Sequence, residues 1–206
     1  MIKKISFQNE VLEHACPVCS DDMVLNKYVL YFSLLGKPLF PVKVIEEFYK
    51  CEVCKSSYNL NLKDLIKLDD DKKQLRFEEA GKLYAKALIA AMTYMAVIDG
   101  NLDEKEQQSL HAIIGKYSNI ADELIEIMDR VKSQGNRDDF VYKLIKKVHE
   151  ELSIDSVLAL LSDAVKMLMV DGKVDKEELQ LLDKFILEAG LPKAFYSLLI
   201  SKIKKI

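Results

Sequence analysis

The residues with the strongest chemical signature in this chain are its four cysteines, all of them before residue 55. They form two pairs, Cys16-Pro17-Val18-Cys19 and Cys51-Glu52-Val53-Cys54, separated by 31 residues. A C-x-x-C pair brings two thiolates onto one tight turn, and two such turns complete a tetrahedral zinc site. A dithiol redox centre needs one such pair in a βαβ setting, which this stretch lacks. The pattern therefore reads as structural Zn2+ bound by Cys16, Cys19, Cys51 and Cys54. Four protein ligands leave no open position for a substrate, so no catalysis is assigned to the site. His14 is close in sequence, but a fifth ligand is unnecessary and it reads as a surface residue or one that supports a ligand from outside.

A second constellation is made of acids and occurs twice. Asp99-Gly100-Asn101-Leu102-Asp103-Glu104-Lys105-Glu106 returns, 72 positions later, as Asp171-Gly172-Lys173-Val174-Asp175-Lys176-Glu177-Glu178. Much of it is helix punctuation. Gly100 and Gly172 stand where a helix ends on a left-handed residue. Asp103 and Asp175 suit N-caps, Glu106 and Glu178 follow three residues later as in a capping box, and Leu102 and Val174 can act as staples. Asp99 and Asp171 are left over, because a carboxylate at a helix C-terminus opposes the dipole. The expectation is that Asp99, Asp103, Glu106, Asp171, Asp175 and Glu178 converge on a weak site for a second divalent cation. An ordinary EF-hand is excluded. Its loop positions 1 and 3 would fall on Met95 and Val97, and on Met167 and Met169, which offer calcium no hard oxygen.

Nothing else in the chain suggests an active site. His14, His111 and His149 lie in unrelated contexts, and there is no Gly-rich phosphate loop, nucleophile elbow or H-E-x-x-H.

The elements that must position these residues follow from periodicity and punctuation. Residues 1–13 read as a short strand or arm. Between the cysteine pairs, Val24 to Pro41 is rich in Val, Tyr, Phe and Leu and reads as strands. Residues 61–71 read as a short helix running into Asp69-Asp70-Asp71-Lys72-Lys73-Gln74, a solvated linker. From Phe77 a helical period takes over, with Leu83, Ala87, Ala90, Ala91, Tyr94, Met95 and Ile98 on a broad apolar face. Further helices follow from Asp103 to Tyr117, from Asn119 or Asp122 to a stop at Gly135, and from Asn136 or Asp138 through Val148. Another runs from a Ser153 cap over Ile154 to Val170. The last two run from Asp175 to a stop at Gly190, and from Pro192 onward. The division is 1–68 for the cysteine-bearing part and 76–206 for the helical part.

The chain has 206 residues, half of them hydrophobic and 31% charged, with a net charge of −3. That balance gives no basic footprint for nucleic acid, and lysines and acids also balance within residues 1–65. Met1-Ile2-Lys3-Lys4-Ile5 leads into polar residues, unlike a secretory leader, and no apolar run is long enough to span a bilayer. The expected location is cytoplasmic.

The paired Asp-Gly-x-aliphatic-Asp-x-x-Glu segments, the apolar helices before them and Leu187-Glu188-Ala189-Gly190-Leu191 resemble the TerB-like domain of tellurite-resistance proteins, over about residues 76–206. The resemblance implies a mainly α fold: an all-helical domain of about seven helices in two pseudo-repeats, with an acidic metal-holding constellation where the repeats meet. Residues 14–60, with Pro38-Leu39-Phe40-Pro41 before the second cysteine pair, resemble a family of zinc ribbons carrying that signature. Some ribbons with apolar inserts lie on membranes, which makes residues 28–40 a candidate for peripheral membrane contact. The reading preferred for so small a domain is that they form its core around the zinc. Together these features point to a small N-terminal four-cysteine zinc ribbon (β) ahead of a helical domain. The expected protein is a non-enzymatic metal-binding or protein-interaction module in a stress or defence response. It would have a protein partner, membrane-associated by resemblance, and no nucleic acid. The alternatives are a metal-dependent hydrolase using the acidic cluster and a nucleic-acid-binding ribbon. The oligomeric state is not legible.

Overall fold

The computed structural model describes residues 1–98, 100, 102, 104–133, 137–168 and 176–203. The chain forms two compact units, Met1–Ala80 with Glu151–Ser156, and Gly81–Glu150 with Val157–Ile206.

The first unit is an antiparallel sheet of order β1-β2-β3-β4. Its strands are β1 (Ile2–Leu12), β2 (Met23–Leu34), β3 (Lys37–Cys51) and β4 (Ser57–Asn59), followed by a single helical turn, α1 (Leu62–Leu65). The aromatic and β-branched run between the cysteine pairs is thus a long hairpin. Its base is buried: Met23, Leu25, Phe48, Tyr49 and Cys51 are all shielded from solvent, as is Leu62 of α1, and the Tyr28 and Phe48 rings stack with centroids 5.3 Å apart. The preferred expectation that residues 28–40 form the core around the metal holds only for Tyr28 and Val29. From Phe32 to Phe40 the hairpin runs away from the cysteines, and Phe32, Leu34, Leu35, Leu39 and Phe40 are exposed. The hairpin closes through Leu35 (φ 50°) and Gly36 (φ 78°), a two-residue turn with both central residues in the left-handed region. Gly36 takes that conformation freely, whereas at Leu35 it costs about 1 kcal/mol.

The first unit also holds the start of the helix Ile154–Leu168. Ser153 caps it as expected, its Oγ accepting the Ser156 amide at 3.1 Å, and the Glu46 carboxylate accepts the Ile154 amide at 2.8 Å. Asp155 on this first turn is buried. Its carboxylate accepts from the Tyr28 hydroxyl at 2.5 Å and from Lys50 Nζ at 2.6 Å, with Lys4 Nζ 3.6 Å away. Ser57, Ser153 and Ser156 close a buried ring of hydroxyls at 2.9–3.2 Å. The contacts between the sheet and this turn join residues some hundred positions apart, and apart from Ser153, read as a cap, no sequence pattern singled these groups out.

Asp69–Gln74 is not the linker expected from its charge but the capped start of α2 (Asp70–Ala96). Asp69 Oδ1 accepts the Lys72 amide at 3.0 Å, and Lys72 and Lys73 pair back to Asp69 and Asp70. Three acids at a helix N-terminus satisfy free amides and favour the dipole, so a run that looks like solvated coil is a helix start.

The second unit is helical. After α2 come α3 (Glu104–Ile114), a 3-10 segment (Gly115–Ile120), α4 (Ala121–Lys132), α5 (Arg137–Glu151), α6 (Ile154–Leu168), α7 (Lys176–Glu188) and α8 (Ala194–Ile203). The chain is therefore mainly α, with seven longer helices among the described residues and a small N-terminal antiparallel sheet. Every residue of α2 from Ala87 to Ala96 is buried, as are Val157, Leu160, Leu161 and Ala164 of α6. Phe185 of α7 meets the Tyr94 and Tyr142 rings edge-on, and the Tyr94 hydroxyl donates to Asp138. Gly100 (φ 95°) and Gly190 (φ 73°) sit at helix ends in the left-handed region, as their positions predicted. Among the described residues, no helix is long and apolar enough to cross a membrane.

Candidate metal centre

The two knuckles emerge from the base of the hairpin. Cys51 ends β3 opposite Met23, so the pairing of β2 with β3 carries one cysteine pair to the other. The two turns are built alike. The Cys16 amide donates to the Asp21 carbonyl at 2.9 Å, and the Cys51 amide donates to the Ser56 carbonyl at 3.0 Å, each across five residues. In each knuckle the residue after the second cysteine is left-handed, Ser20 at φ 59° and Lys55 at φ 65°. That bend turns backbone amides toward sulfur. The amides of Cys19 and Val18 favour the thiolate at Cys16, those of Cys54 and Val53 at Cys51, and that of Asp21 at Cys19.

The four Sγ atoms lie within 4.8 Å of one another, with Cys16 and Cys54 3.4 Å apart and Cys19 and Cys51 3.5 Å apart. All four thiols are free of disulfides. Cys16 and Cys51 are buried, Cys54 is partly buried and Cys19 faces solvent. Such a set fits one tetrahedral ion at sulfur distances of about 2.3 Å. Among the described residues it is the one cluster of three or more metal-binding side chains.

Without an ion, the sulfurs compete for one negative charge. Burial opposes ionisation of Cys16, but the Ser56 hydroxyl, the two knuckle amides and Cys54 outweigh it and bring its thiol down to about 7. At Cys19 the Asp21 amide favours the thiolate, yet local desolvation and the neighbouring Cys51, Cys16 and Cys54 thiols prevail and push it up to about 12. Burial, against the knuckle amides, raises Cys51. A bound divalent cation removes this competition and holds all four as thiolates.

Ser56 was not marked by the sequence reading. Its Oγ lies 3.0 Å from Cys54 Sγ and 3.4 Å from Cys16 Sγ, so one hydroxyl serves both knuckles. A small hydroxyl residue two positions beyond a C-x-x-C was the available signal. Loss of such an outer partner costs metal affinity roughly tenfold or more. Ser56→Ala should therefore surrender its ion to a chromogenic chelator at correspondingly lower chelator concentration, with its circular dichroism unchanged. Transfer identical to the parent's would remove Ser56 from the site. His14 has an exposed ring and donates its backbone amide to Asp22 at 2.9 Å, as a surface residue should.

The acidic constellation is placed only in part. Asp99, Asp103, Asp171 and Asp175 lie outside the described residues. Glu106 and Glu178 sit in the first turns of α3 and α7, both partly buried. Elsewhere in the helical unit, a cavity of about 390 Å³ lies among Tyr84, Leu88, Met92, Ile113 and Tyr117. The acid on its wall, Asp163, is paired with Lys166 at 2.6 Å. His149 donates Nδ1–H to the Ala189 carbonyl at 2.8 Å, a satisfied packing contact.

No curated protein and no solved structure matches the chain. The family model described as tellurite resistance protein TerB matches residues 85–197, more than half of the chain. That span runs from the buried half of α2 into α8 and takes in both acidic segments, and on it the chain belongs to the TerB family.

Proposed function

We propose that this protein is a non-enzymatic, cytoplasmic metal-binding module that works through a protein partner in a tellurite-resistance-like stress or defence response, with structural zinc in its ribbon. The observation that carries the metal reading is the set of four convergent sulfurs, each knuckle aiming amides at its own cysteines. Zinc is favoured over softer or redox-active ions because an all-thiolate tetrahedral set with a closed outer shell is its characteristic structural environment. Free thiols rather than disulfides suit a reducing compartment. The non-enzymatic reading draws on the absence of an open coordination position at the cysteines, and on the described histidine and cavity acid being engaged in packing and pairing.

The test is elemental analysis of the full-length protein purified without added metal, followed by a screen of phosphoester and peptide substrates with Mg²⁺ and Mn²⁺. The expected result is close to stoichiometric zinc and no turnover. Metal-free protein with an intact sheet would overturn the zinc reading, and turnover abolished by substituting the acidic segments would make the protein a hydrolase.

A further inference from the structure

The far end of the ribbon hairpin carries apolar side chains that make no core. Beyond Met1, whose ammonium donates to the Tyr31 carbonyl at 3.0 Å, β1 ends and β2 and β3 continue as a two-stranded arm. Phe32, Leu34, Leu39, Phe40 and Val42 on this arm are each about half exposed, and Leu35 at its apex is 96% exposed. Phe32 and Phe40 stand opposite each other and stack with centroids 5.2 Å apart, so the arm presents a fixed aromatic pair. Leu35 is the most telling position. A turn of this type favours Asn, Asp or Gly there, because φ is positive. Leucine serves neither the turn nor the core, so its placement points to an apolar surface outside the chain.

The charges around the arm identify that surface. From Met23 to Ile45 the sequence has Lys27, Lys37 and Lys43 and no acid, and residues 1–9 add Lys3 and Lys4, again without an acid. Lys27 is paired with Glu47 and Lys4 with Asp155. Among the described residues no ion pair takes up Lys3, Lys37 or Lys43, and Lys3 lies over the Tyr31 ring. An apolar tip ringed by free cations complements an anionic bilayer, with lysines among the headgroups and Leu35 and the phenylalanines at the acyl boundary. From Tyr31 to Leu35 the arm extends about 13 Å at the strand rise of about 3.3 Å per residue, enough for the depth of about 5–10 Å that interfacial elements occupy. Addition of a strand from another protein to the β3 edge is disfavoured, because Pro38 and Pro41 withdraw two amide donors from β3.

We propose that the β2–β3 arm, through Leu35, Phe32 and Phe40 with Lys37 and Lys43, docks the protein peripherally on anionic lipid bilayers. The proposal does not depend on which metal the cysteines hold. The experiment floats the full-length protein, its metal content verified, with vesicles of phosphatidylcholine alone and of phosphatidylcholine mixed with phosphatidylserine. The parent should float with the mixed vesicles and not with the neutral ones, and raised salt should release it. Leu35→Asn should weaken binding roughly tenfold or more, the worth of burying one leucine side chain. Its melting temperature should be equal or higher, because asparagine tolerates the left-handed turn. Lys37→Gln with Lys43→Gln should abolish the preference for anionic vesicles. Failure of the parent to float with either vesicle, or Leu35→Asn binding like the parent, would overturn the proposal. So would a concentration-dependent dimer in light scattering that Leu35→Asn abolishes without vesicle binding, which would make a second copy the occupant.

Discussion

Replacing Cys51 by serine should strip the metal from the full-length protein and unfold the sheet that carries the cysteines. Cys51 is fully buried at the end of β3, beside Met23, where the hairpin base and the knuckle are the same piece of structure. A unit of this size buries too little apolar surface to stand comfortably alone, and here its hairpin spends part of its hydrophobic content on an exposed arm. A structural zinc site supplies about 10–16 kcal/mol of binding free energy, which in a small metal-bound domain is folding free energy. Loss of one ligand of four should therefore lower the stability of the sheet by roughly 5 kcal/mol or more. Cys19→Ser should cost less, since Cys19 faces solvent and water can take its place. Hydrogen exchange of amides in β2 and β3, read with zinc content on the same samples, checks this ranking. Because the thiols must lose protons to bind, metal uptake releases protons, and a chelator should win more easily as pH falls. Protection in β2 and β3 that persists in metal-free Cys51→Ser would show that the sheet stands without its ion.

Asp155→Ala should be the most damaging substitution away from the cysteines, at about 3–5 kcal/mol in the first unit. The carboxylate is buried, and its two oxygens satisfy Tyr28 and Lys50 at 2.5 and 2.6 Å. Alanine leaves the half-buried Lys50 ammonium and the Tyr28 hydroxyl without their acceptor, and uncompensated buried polar groups carry the full desolvation cost. Lys4, 3.6 Å away with a third of its side chain in solvent, adds little. Asp155→Leu combined with Lys50→Met should recover part of the loss, since it removes the unpaired ammonium, the costlier of the two groups that lose their acceptor. If the double variant is as unstable as Asp155→Ala, the pair is not what the site depends on.

The same network sets a pH dependence. Burial works against the Asp155 carboxylate, but the hydrogen bonds from Lys50 and Tyr28 and the charges of Lys50 and Lys4 outweigh it and hold its pKa below the ordinary 3.8. A carboxyl lower in the folded state than in the unfolded chain contributes stability above its unfolded pKa and loses it as pH falls through the folded value. Acid unfolding below about pH 4 should consequently be less steep in Asp155→Asn than in the parent. Equal steepness in urea titrations across that range would exclude Asp155 as the titrating group.

What the sequence determined by itself is local. The two C-x-x-C pairs state their chemistry because each knuckle is a single turn whose ligands are neighbours in the chain. The helices were legible for the same reason: apolar periodicity along α2 to α8, Ser153 as a cap, and Gly100 and Gly190 as stops all act within a few residues. Where local chemistry has two outcomes, tertiary structure chose. The acids and lysines of Asp69–Gln74 suit a solvated coil and a helix N-terminus equally well, and the 27-residue helix that follows made them the latter. The apolar run of the hairpin is the same kind of sequence at Val29 and at Phe40. Val29 lies where β1 pairs with β2 and is buried, whereas Phe40 lies on the arm beyond β1 and is exposed. The Asp155 network and the serine ring were invisible, because their partners are brought together over separations of 96 to 127 residues. An aspartate in the first turn of a helix already has a sufficient local explanation in the dipole, and its burial against Tyr28 and Lys50 exists only once the sheet has folded over it.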